Sequence, residues 1–167
     1  RDEYGPGFNE LIFVIHFDLR ESVAYSLTYN LFGAGVLLSP KLTNIFSAAA
    51  NSTPRDIRFD NFLRAGTTAG TYRMNKYVTN GSSISFNALS ECEMAYPVYR
   101  FTDLVLMQAE AKARLDKFQD ALSLISTTVR ARAGVSTTTR TANSFVSRED
   151  LIDYILDERQ LELVGEG

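Results

Sequence analysis

The chain has 167 residues, enough for one domain with a hydrophobic core, and 45% of them are hydrophobic. Its 17 basic and 20 acidic residues give a formal charge of −3, so there is no electrostatic case for nucleic-acid binding. The single cysteine, Cys92, excludes an internal disulfide, and no run of 18 apolar residues predicts a transmembrane helix.

The first predicted element is a strand in the stretch NELIFVIHFD (9–18). Almost every position in it is apolar or aromatic, which predicts a strand that is covered on both faces. Residues 19–38 follow without a clean period, because Gly33 and Gly35 break the helical spacing of the aromatic residues. We expect a loop there with at most one helical turn.

A helix is predicted next, in SPKLTNIFSAAA (39–50), because Ser39 is a natural N-cap and Pro40 suits the first helical position. Residues 56–78 predict two short strands around a Gly/Thr turn, with Ile57, Phe59 and Phe62 leading in. Residues 79–91 predict a polar loop with its turn at Asn80-Gly81.

The last third of the chain predicts three helices. The first two run from about residue 100 to 115 and from about 118 to 133, with Gly134 as the stop. The third follows a capping box that begins at Ser147, in which Asp150 replaces the usual glutamate. Its predicted apolar face consists of Ile152, Ile155, Leu156 and Leu163.

The paired helices fit the pattern of a tetratricopeptide repeat. Phe118 takes the aromatic position that opens the second helix, Ala121 its small position and Ile125 a later bulky position, while Ala109 takes the small position of the first helix. One such unit cannot bury its own faces, so neighbouring units are expected. An ordinary helical hairpin would give the same partial pattern.

Several motifs in order resemble the SusD/RagB family of outer-membrane lipoproteins. They are Arg100-Phe101 at a helix start, Ala109-Glu110-Ala111 within that helix, VRARAG (129–134) at a helix end, and ERQLEL (158–163) in the final helix. The resemblance implies a mainly α, SusD-like fold, with a tetratricopeptide-type hairpin, further helices and a short β element.

Family members are longer than this chain, and the resemblance implies a later-middle fragment without the lipid-anchor cysteine or the earlier repeat helices. The opening RDEYGPGFNE, which has no leader, favours the same interpretation. We expect residues 1–167 to form one domain, with possible ligand loops in 1–95 and the helical-repeat-like region in 96–167.

The resemblance also implies a function. Such proteins capture glycans or other oligomeric nutrients at the cell surface and deliver them to a TonB-dependent, SusC-like transporter in the outer membrane. They bind and do not catalyse, so no enzyme activity and no cofactor are expected. The alternative is a helical-repeat scaffold that binds a protein or peptide, which would present a concave helical surface and no aromatic pocket.

The candidate ligand-binding residues lie in the irregular segment after the first strand. Tyr25 and Tyr29 offer flat aromatic faces for sugar C–H surfaces, and Asn30 and Arg20 offer polar groups for hydroxyls. The same aromatic residues could instead pack on the helices, and the chain has no Trp to strengthen the sugar interpretation.

A second group of charged residues is expected to be structural. Arg132 and Arg159 fall on the apolar stripes of their predicted helices, and a buried guanidinium needs a carboxylate partner. Glu110, Glu158 and Glu162 are the available acids. We expect an internal ion-pair network that holds the helices in register, with an anion-binding site as the alternative.

The sequence gives little support for an enzyme. Asp56 and Asp60, predicted to share a strand, could suggest a pair of catalytic carboxylates, but solvated positions explain them better. The sequence has no nucleophile elbow, no phosphate-binding glycine loop and no metal-ligand spacing, so no metal site is expected. The lone His16 lies far in sequence from Cys92, which is expected to be an ordinary thiol.

Overall fold

The computed structural model describes residues 10–15, 36–76, 96–135 and 140–166. Helices form most of this part of the chain, and two small antiparallel sheets lie beside them. The mainly α fold class with a short β element is therefore confirmed. None of the helices in these four ranges is long and apolar enough to cross a bilayer.

Helix α1 (Pro40–Ala50) begins as its sequence predicts. The hydroxyl of Ser39 accepts a hydrogen bond from the backbone N–H of Leu42, at 3.3 Å, and Pro40 takes the first turn. Its Phe46 side chain is fully buried. The local capping signal was therefore sufficient to place this helix.

Helix α2 (Arg58–Phe62) precedes a hairpin of β2 (Leu63–Ala65) and β3 (Tyr72–Met74). The hairpin confirms the two predicted strands, but the predicted strand-like lead-in is wrong, because residues 58–62 form a helical turn. Asp56 explains the difference. Its carboxylate accepts the backbone N–H of Arg58 at 2.9 Å, which favours a turn at this point.

Strand β1 (Leu11–Ile15) pairs antiparallel with β4 (Tyr96–Arg100). The prediction that β1 is covered on both faces is wrong: Ile12 is 55% exposed and Phe13 53% exposed. Among the described residues, this sheet consists of two strands, β1 and β4. Strand β4 is not among the predicted elements, although Pro97 favours an extended conformation of the residue before it.

Helix α3 (Phe101–Arg114) and helix α4 (Phe118–Leu124) form the predicted hairpin, and α4 continues into a π-helical segment (Ile125–Arg130). The turn between α3 and α4 places Asp116 at a φ of 60°. Gly134 has a φ of 72°, the left-handed conformation that glycine adopts most readily at a helix end.

Helix α5 (Arg148–Leu163) begins at the predicted capping box. The hydroxyl of Ser147 accepts the backbone N–H of Asp150 at 3.1 Å, and the Asp150 carboxylate accepts the N–H of Ser147 at 3.2 Å. Two orphan donors at the start of the helix are thereby satisfied, which fixes where α5 begins.

The predicted apolar face of α5 is partly wrong. Ile155 is buried as expected, but Leu156 is 37% exposed. The other buried positions are taken by Leu151, Leu161 and two glutamates, Glu158 and Glu162. Glutamates replace apolar residues on this face because basic side chains from other elements meet them, as described below.

Two apolar cores hold these elements together. The larger core lies between α3, α4 and α5, where the fully buried Ala109 and Ala121 leave room for a close helix crossing. The smaller core joins α1 and the β2–β3 hairpin to the end of α5, through Phe46, Leu63, Met74, Leu161 and Val164. Helix α5 therefore contributes to both cores. Its buried glutamates, Glu158 and Glu162, lie in its second half, among the residues that reach the smaller core.

Candidate functional site

A buried cluster of charged side chains gathers around the second half of α5. Glu158 is 3% exposed and Glu162 is 5% exposed. The two residues are four positions apart, so they lie one above the other on the same face of the helix. A buried carboxylate must be compensated, so the partners of these two acids define the site.

Glu158 is held by two arginines. Its Oε2 atom lies 2.9 Å from Nη2 of Arg58, and its Oε1 atom accepts from Nη1 of Arg130, at the end of the π-helical segment. Arg58 also binds Asp56, whose Oδ2 atom lies 2.6 Å from the same Nη2 atom. Burial alone would lower the pKa of Arg58, but the hydrogen bond to Asp56 and the charge of Glu158 raise it, so the guanidinium stays charged.

Glu162 meets three arginines. Its Oε1 atom lies 3.0 Å from Nη2 of Arg100 and 3.2 Å from Nη2 of Arg132, and its Oε2 atom lies 3.5 Å from Nη1 of Arg58. At that distance the buried Nη1 atom of Arg58 forms no hydrogen bond, and no other described residue supplies one. A buried unsatisfied donor of this kind costs about 1–3 kcal/mol, or more for a charged group.

Lys76 and Glu166 extend the cluster beyond the end of α5. The Lys76 ammonium contacts the Glu166 carboxylate and donates to the backbone carbonyl of Glu162, and Nε of Arg100 lies 2.5 Å from Glu166. Burial lowers the pKa of Lys76 to about 8, although the charge of Glu166 acts in the opposite direction.

Glu10 joins the cluster from the start of β1. Its carboxylate lies 2.8 Å from Nη1 of Arg100 and 2.7 Å from Nη1 of Arg132, and it accepts the hydroxyl of Thr102. Burial would raise the pKa of Glu10, but these hydrogen bonds and the two nearby guanidiniums lower it to about 2. An N-terminal strand is thus tied by charge to helices far along the chain.

We call these ten residues the α5 charge cluster. Its acids are Glu10, Asp56, Glu158, Glu162 and Glu166, and its bases are Arg58, Lys76, Arg100, Arg130 and Arg132. Five formal negative charges therefore meet five positive ones. Balanced, hydrogen-bonded charges are the arrangement in which burial of ions is tolerated.

A cleft of about 380 Å³ opens beside this cluster. The described residues that line it are Glu10, Leu11, Ile57, Arg58, Asn61, Phe62, Lys76, Arg100, Arg132, Ala133 and Glu162. The volume falls in the range that holds small organic ligands. Because buried charged groups also converge on it, we take this cleft as the candidate site. In the part of the chain that the structure describes, no group of three His, Cys, Asp or Glu side chains is placed to bind a metal ion.

The structure brings three of the five expected network residues together, because Arg132, Glu158 and Glu162 all belong to the α5 charge cluster. Arg159 lies elsewhere and pairs with Asp103, at 2.7 Å. The side chains of Arg132 and Arg159 are 44% and 32% exposed, so they are not enclosed in the apolar stripes as expected. Long side chains of this kind reach acids from a partly exposed position.

Glu110 does not join the cluster. Its carboxylate pairs with Arg114, one turn further along α3, at 2.6 Å, and the Arg114 side chain is 61% exposed. The expectation that Asp56 is solvated is also wrong, because Asp56 is 2% exposed and bound to Arg58. Asp60 lies in α2 and not on a strand, and its exposed carboxylate pairs with Arg55 at 2.8 Å.

Sequence reasoning missed much of the cluster, including Arg58, Lys76, Arg100 and Glu10. One signal was present for Arg58, which stands between Ile57 and Phe59 in a stretch rich in apolar residues. The others show no local pattern that distinguishes them from exposed charges.

The residues predicted to bind ligand, Arg20, Tyr25, Tyr29 and Asn30, lie outside the described residues. So do His16, Cys92 and the loop of residues 79–91.

The family model of the SusD family matches residues 60–167. The chain belongs to the SusD family. This match contains β2, β3, β4 and all of α3 to α5, and thus most of the α5 charge cluster. A curated relative, the SusD-like protein P38 of Formosa agariphila, is 28% identical over 112 residues, which are 65% of this chain and 21% of the relative.

Two solved structures have a similar fold. A SusD-like carbohydrate binding protein from Bacteroides vulgatus superposes with a TM-score of 0.66 at 22% identity, over 95% of this chain and 32% of that one. A SusD superfamily protein from Parabacteroides distasonis gives a TM-score of 0.63 at 15% identity, over 93% of this chain and 36% of that one. The chain thus spans 21% to 36% of the length of these three relatives.

Proposed function

We propose that the protein containing this chain captures glycans and delivers them to a TonB-dependent transporter. The observation that carries the proposal is membership of the SusD family, through the match to residues 60–167. The likeness in fold to a SusD-like carbohydrate binding protein, over 95% of this chain, supports the same ligand class.

We assign the two halves of the chain different tasks. Tyr25 and Tyr29 supply flat faces on which sugar rings stack, and Asn30 and Arg20 bind hydroxyl groups. The helical part of the chain supplies a rigid support. The balanced and buried charges of the α5 charge cluster favour this supporting role.

The setting of this activity is the outer membrane. Following the family, we place the protein at the cell surface with a lipid anchor, next to a SusC-like transporter. The task is binding and transfer without catalysis, so the captured oligosaccharide leaves the protein chemically unchanged.

Calorimetric titration of the full-length protein with a panel of oligosaccharides tests capture. We expect saturable binding of at least one glycan, and Tyr25→Ala with Tyr29→Ala should weaken it about tenfold or more, because aromatic stacking supplies part of the binding energy. Tyr99→Ala is the matched control, since Tyr99 is 53% exposed on β4 and should leave the affinity unchanged.

Two results would count against this function. No heat with any glycan, together with tight binding of a peptide, would favour the helical-repeat scaffold instead. Failure of the full-length protein to co-purify with a TonB-dependent transporter from outer membranes, under conditions that preserve glycan binding, would contradict delivery while leaving capture intact.

A further inference from the structure

Apolar and charged residues together line the cleft beside the α5 charge cluster. The apolar ones are Leu11, Ile57, Phe62 and Ala133. The Ile57 side chain is 41% exposed, so apolar surface faces solvent there. A surface of this kind favours contact with a carbon skeleton.

The charged residues of the lining carry an excess of positive charge. Four of the five bases of the α5 charge cluster line the cleft, but only two of its five acids do, namely Glu10 and Glu162. The remaining acids, Asp56, Glu158 and Glu166, bind the same bases without lining the cleft. The cluster is balanced as a whole, yet the lining retains two formal positive charges, which favours an anionic ligand.

One donor of Arg58 has no hydrogen-bond partner among the described residues. Arg58 directs its Nε and Nη2 atoms to Asp56 and Glu158, whereas Nη1 makes only a long ion pair with Glu162, at 3.5 Å, although the Arg58 side chain is only 3% exposed. Arg132, whose side chain is 44% exposed, gives access from solvent, and Asn61 adds an exposed amide to the lining. The cleft therefore offers donors in addition to positive charge.

We propose that this cleft binds a small organic carboxylic acid. Its carboxylate lies against the guanidiniums of Arg58 and Arg132, and its carbon skeleton lies against Phe62. A carboxylate fits because its oxygens can accept from Nη1 of Arg58 and from the partly exposed Arg132, and because a short carbon chain uses the apolar lining that an inorganic anion leaves empty. The proposal uses none of the proposed glycan-binding residues, so either can fail without the other.

The test is calorimetric titration of the full-length protein with sodium butyrate, alongside sodium sulfate and sodium chloride at matched ionic strength. We expect saturable butyrate binding with a dissociation constant below about 1 mM, and a rise in the thermal midpoint that chloride does not produce. Sulfate, which shares the negative charge but has no carbon skeleton, should bind at least about tenfold more weakly.

Two variants locate the binding. Arg132→Gln removes a guanidinium, and Asn61→Phe fills the cleft without removing a charge; each should weaken butyrate binding about tenfold or more. Arg55→Gln and Gln119→Phe are the matched controls, because both residues are exposed and neither lines the cleft. Circular dichroism confirms that each variant is folded, and Asn61→Phe decides the question if Arg132→Gln unfolds.

Three results would overturn the proposal. The first is a butyrate response no larger than that of chloride, and the second is an Asn61→Phe variant that binds butyrate as tightly as the wild type does. Sulfate binding as tight as that of butyrate would contradict the assignment to carboxylates. Glycan titrations of the same variants, which should be unchanged, separate failure at this cleft from failure of glycan capture.

Discussion

The two halves of helix α5 are buried to a similar degree but are held by different forces. In the first half, Leu151 and Ile155 are 0% and 1% exposed and pack in the apolar core with α3 and α4. In the second half, Leu161 packs in the smaller apolar core, but Glu158 and Glu162, which are 3% and 5% exposed, meet charged partners in the α5 charge cluster. One helix thus adds ion pairing to apolar packing within two turns.

The difference shows what each kind of contact can specify. Apolar contact is non-directional, so the first half of α5 tolerates small changes of shape and position. Ion pairs need particular partners in a particular geometry, so the second half fixes α5 against β1, α2 and β4. Net stability comes mainly from the first half, because buried charges gain little after desolvation but are costly to leave unpaired.

The largest effect is expected at Glu158. Replacement Glu158→Ala leaves Arg58 and Arg130 without a shared acid, which should lower the free energy of unfolding by about 3–5 kcal/mol in a urea titration. Asp157→Ala, at the exposed neighbouring position, is the control and should change it by less than about 0.5 kcal/mol. A loss at Glu158 as small as that of the control would show that the buried pairs are not formed.

Ile155 supplies the matching test in the first half of α5. Ile155→Ala should cost about 3 kcal/mol through lost contacts and a cavity, because the side chain is almost completely buried. Ile155→Leu keeps the volume and should cost less than about 1.5 kcal/mol. If Ile155→Leu lowered the free energy of unfolding as much as Ile155→Ala does, apolar packing would depend on side-chain shape as strongly as ion pairing does. The two halves of α5 would then not differ in the way proposed.

Glu10 tests how the cluster holds β1. Glu10→Gln should lower the free energy of unfolding by about 1–2 kcal/mol at neutral pH, since hydrogen bonds to charged groups are lost at a partly exposed position. The folded pKa of about 2 lies below the ordinary 4.5, so the folded state binds fewer protons between these values. The contribution of Glu10 is therefore present above about pH 5 and is lost as the pH falls towards 2.

The lowered pKa of Glu10 also predicts how the stability of the protein depends on pH. Unfolding titrations should show the wild type losing more stability than Glu10→Gln between about pH 5 and pH 2. Parallel curves for the two proteins would contradict the assignment of Glu10 to the cluster.

The smallest effect is expected at Glu110. Its pair with the exposed Arg114 lies at a helix surface, so Glu110→Ala should change the free energy of unfolding by about 0.5 kcal/mol or less. Thermal unfolding at low salt measures this change in stability. A cost of several kcal/mol would show instead that Glu110 belongs to the buried ion-pair network, as the sequence analysis expected.

Local signals predicted the helical part of the fold well. Ser39, Ser147 and Gly134 mark helix ends by hydrogen bonding or backbone conformation that depends on a few neighbouring residues. The α3–α4 hairpin followed from its apolar spacing. The exposure of β1 could not be predicted, because it depends on how many strands join the sheet, and its partner β4 is remote in sequence.

The α5 charge cluster was foreseen only in part, for the same reason. Two glutamates in the ERQLEL motif could be identified as buried acids, but their partners could not. Arg58 reaches Glu158 across 100 residues of sequence, and neither the spacing nor the composition around Arg58 indicates that contact. Glu110, which was expected to be a partner in this cluster, instead pairs with Arg114, one helical turn away on the same helix.

The central claim is that guanidinium–carboxylate pairing holds the second half of α5 in place. A double-mutant cycle with Arg58→Gln, Glu158→Gln and the double variant tests it most directly, because the cycle isolates the energy of that pair. The account predicts a favourable coupling of at least about 1.5 kcal/mol, against less than about 0.5 kcal/mol for Glu110 and Arg114 measured in the same way. Additive losses at Arg58 and Glu158 would contradict it.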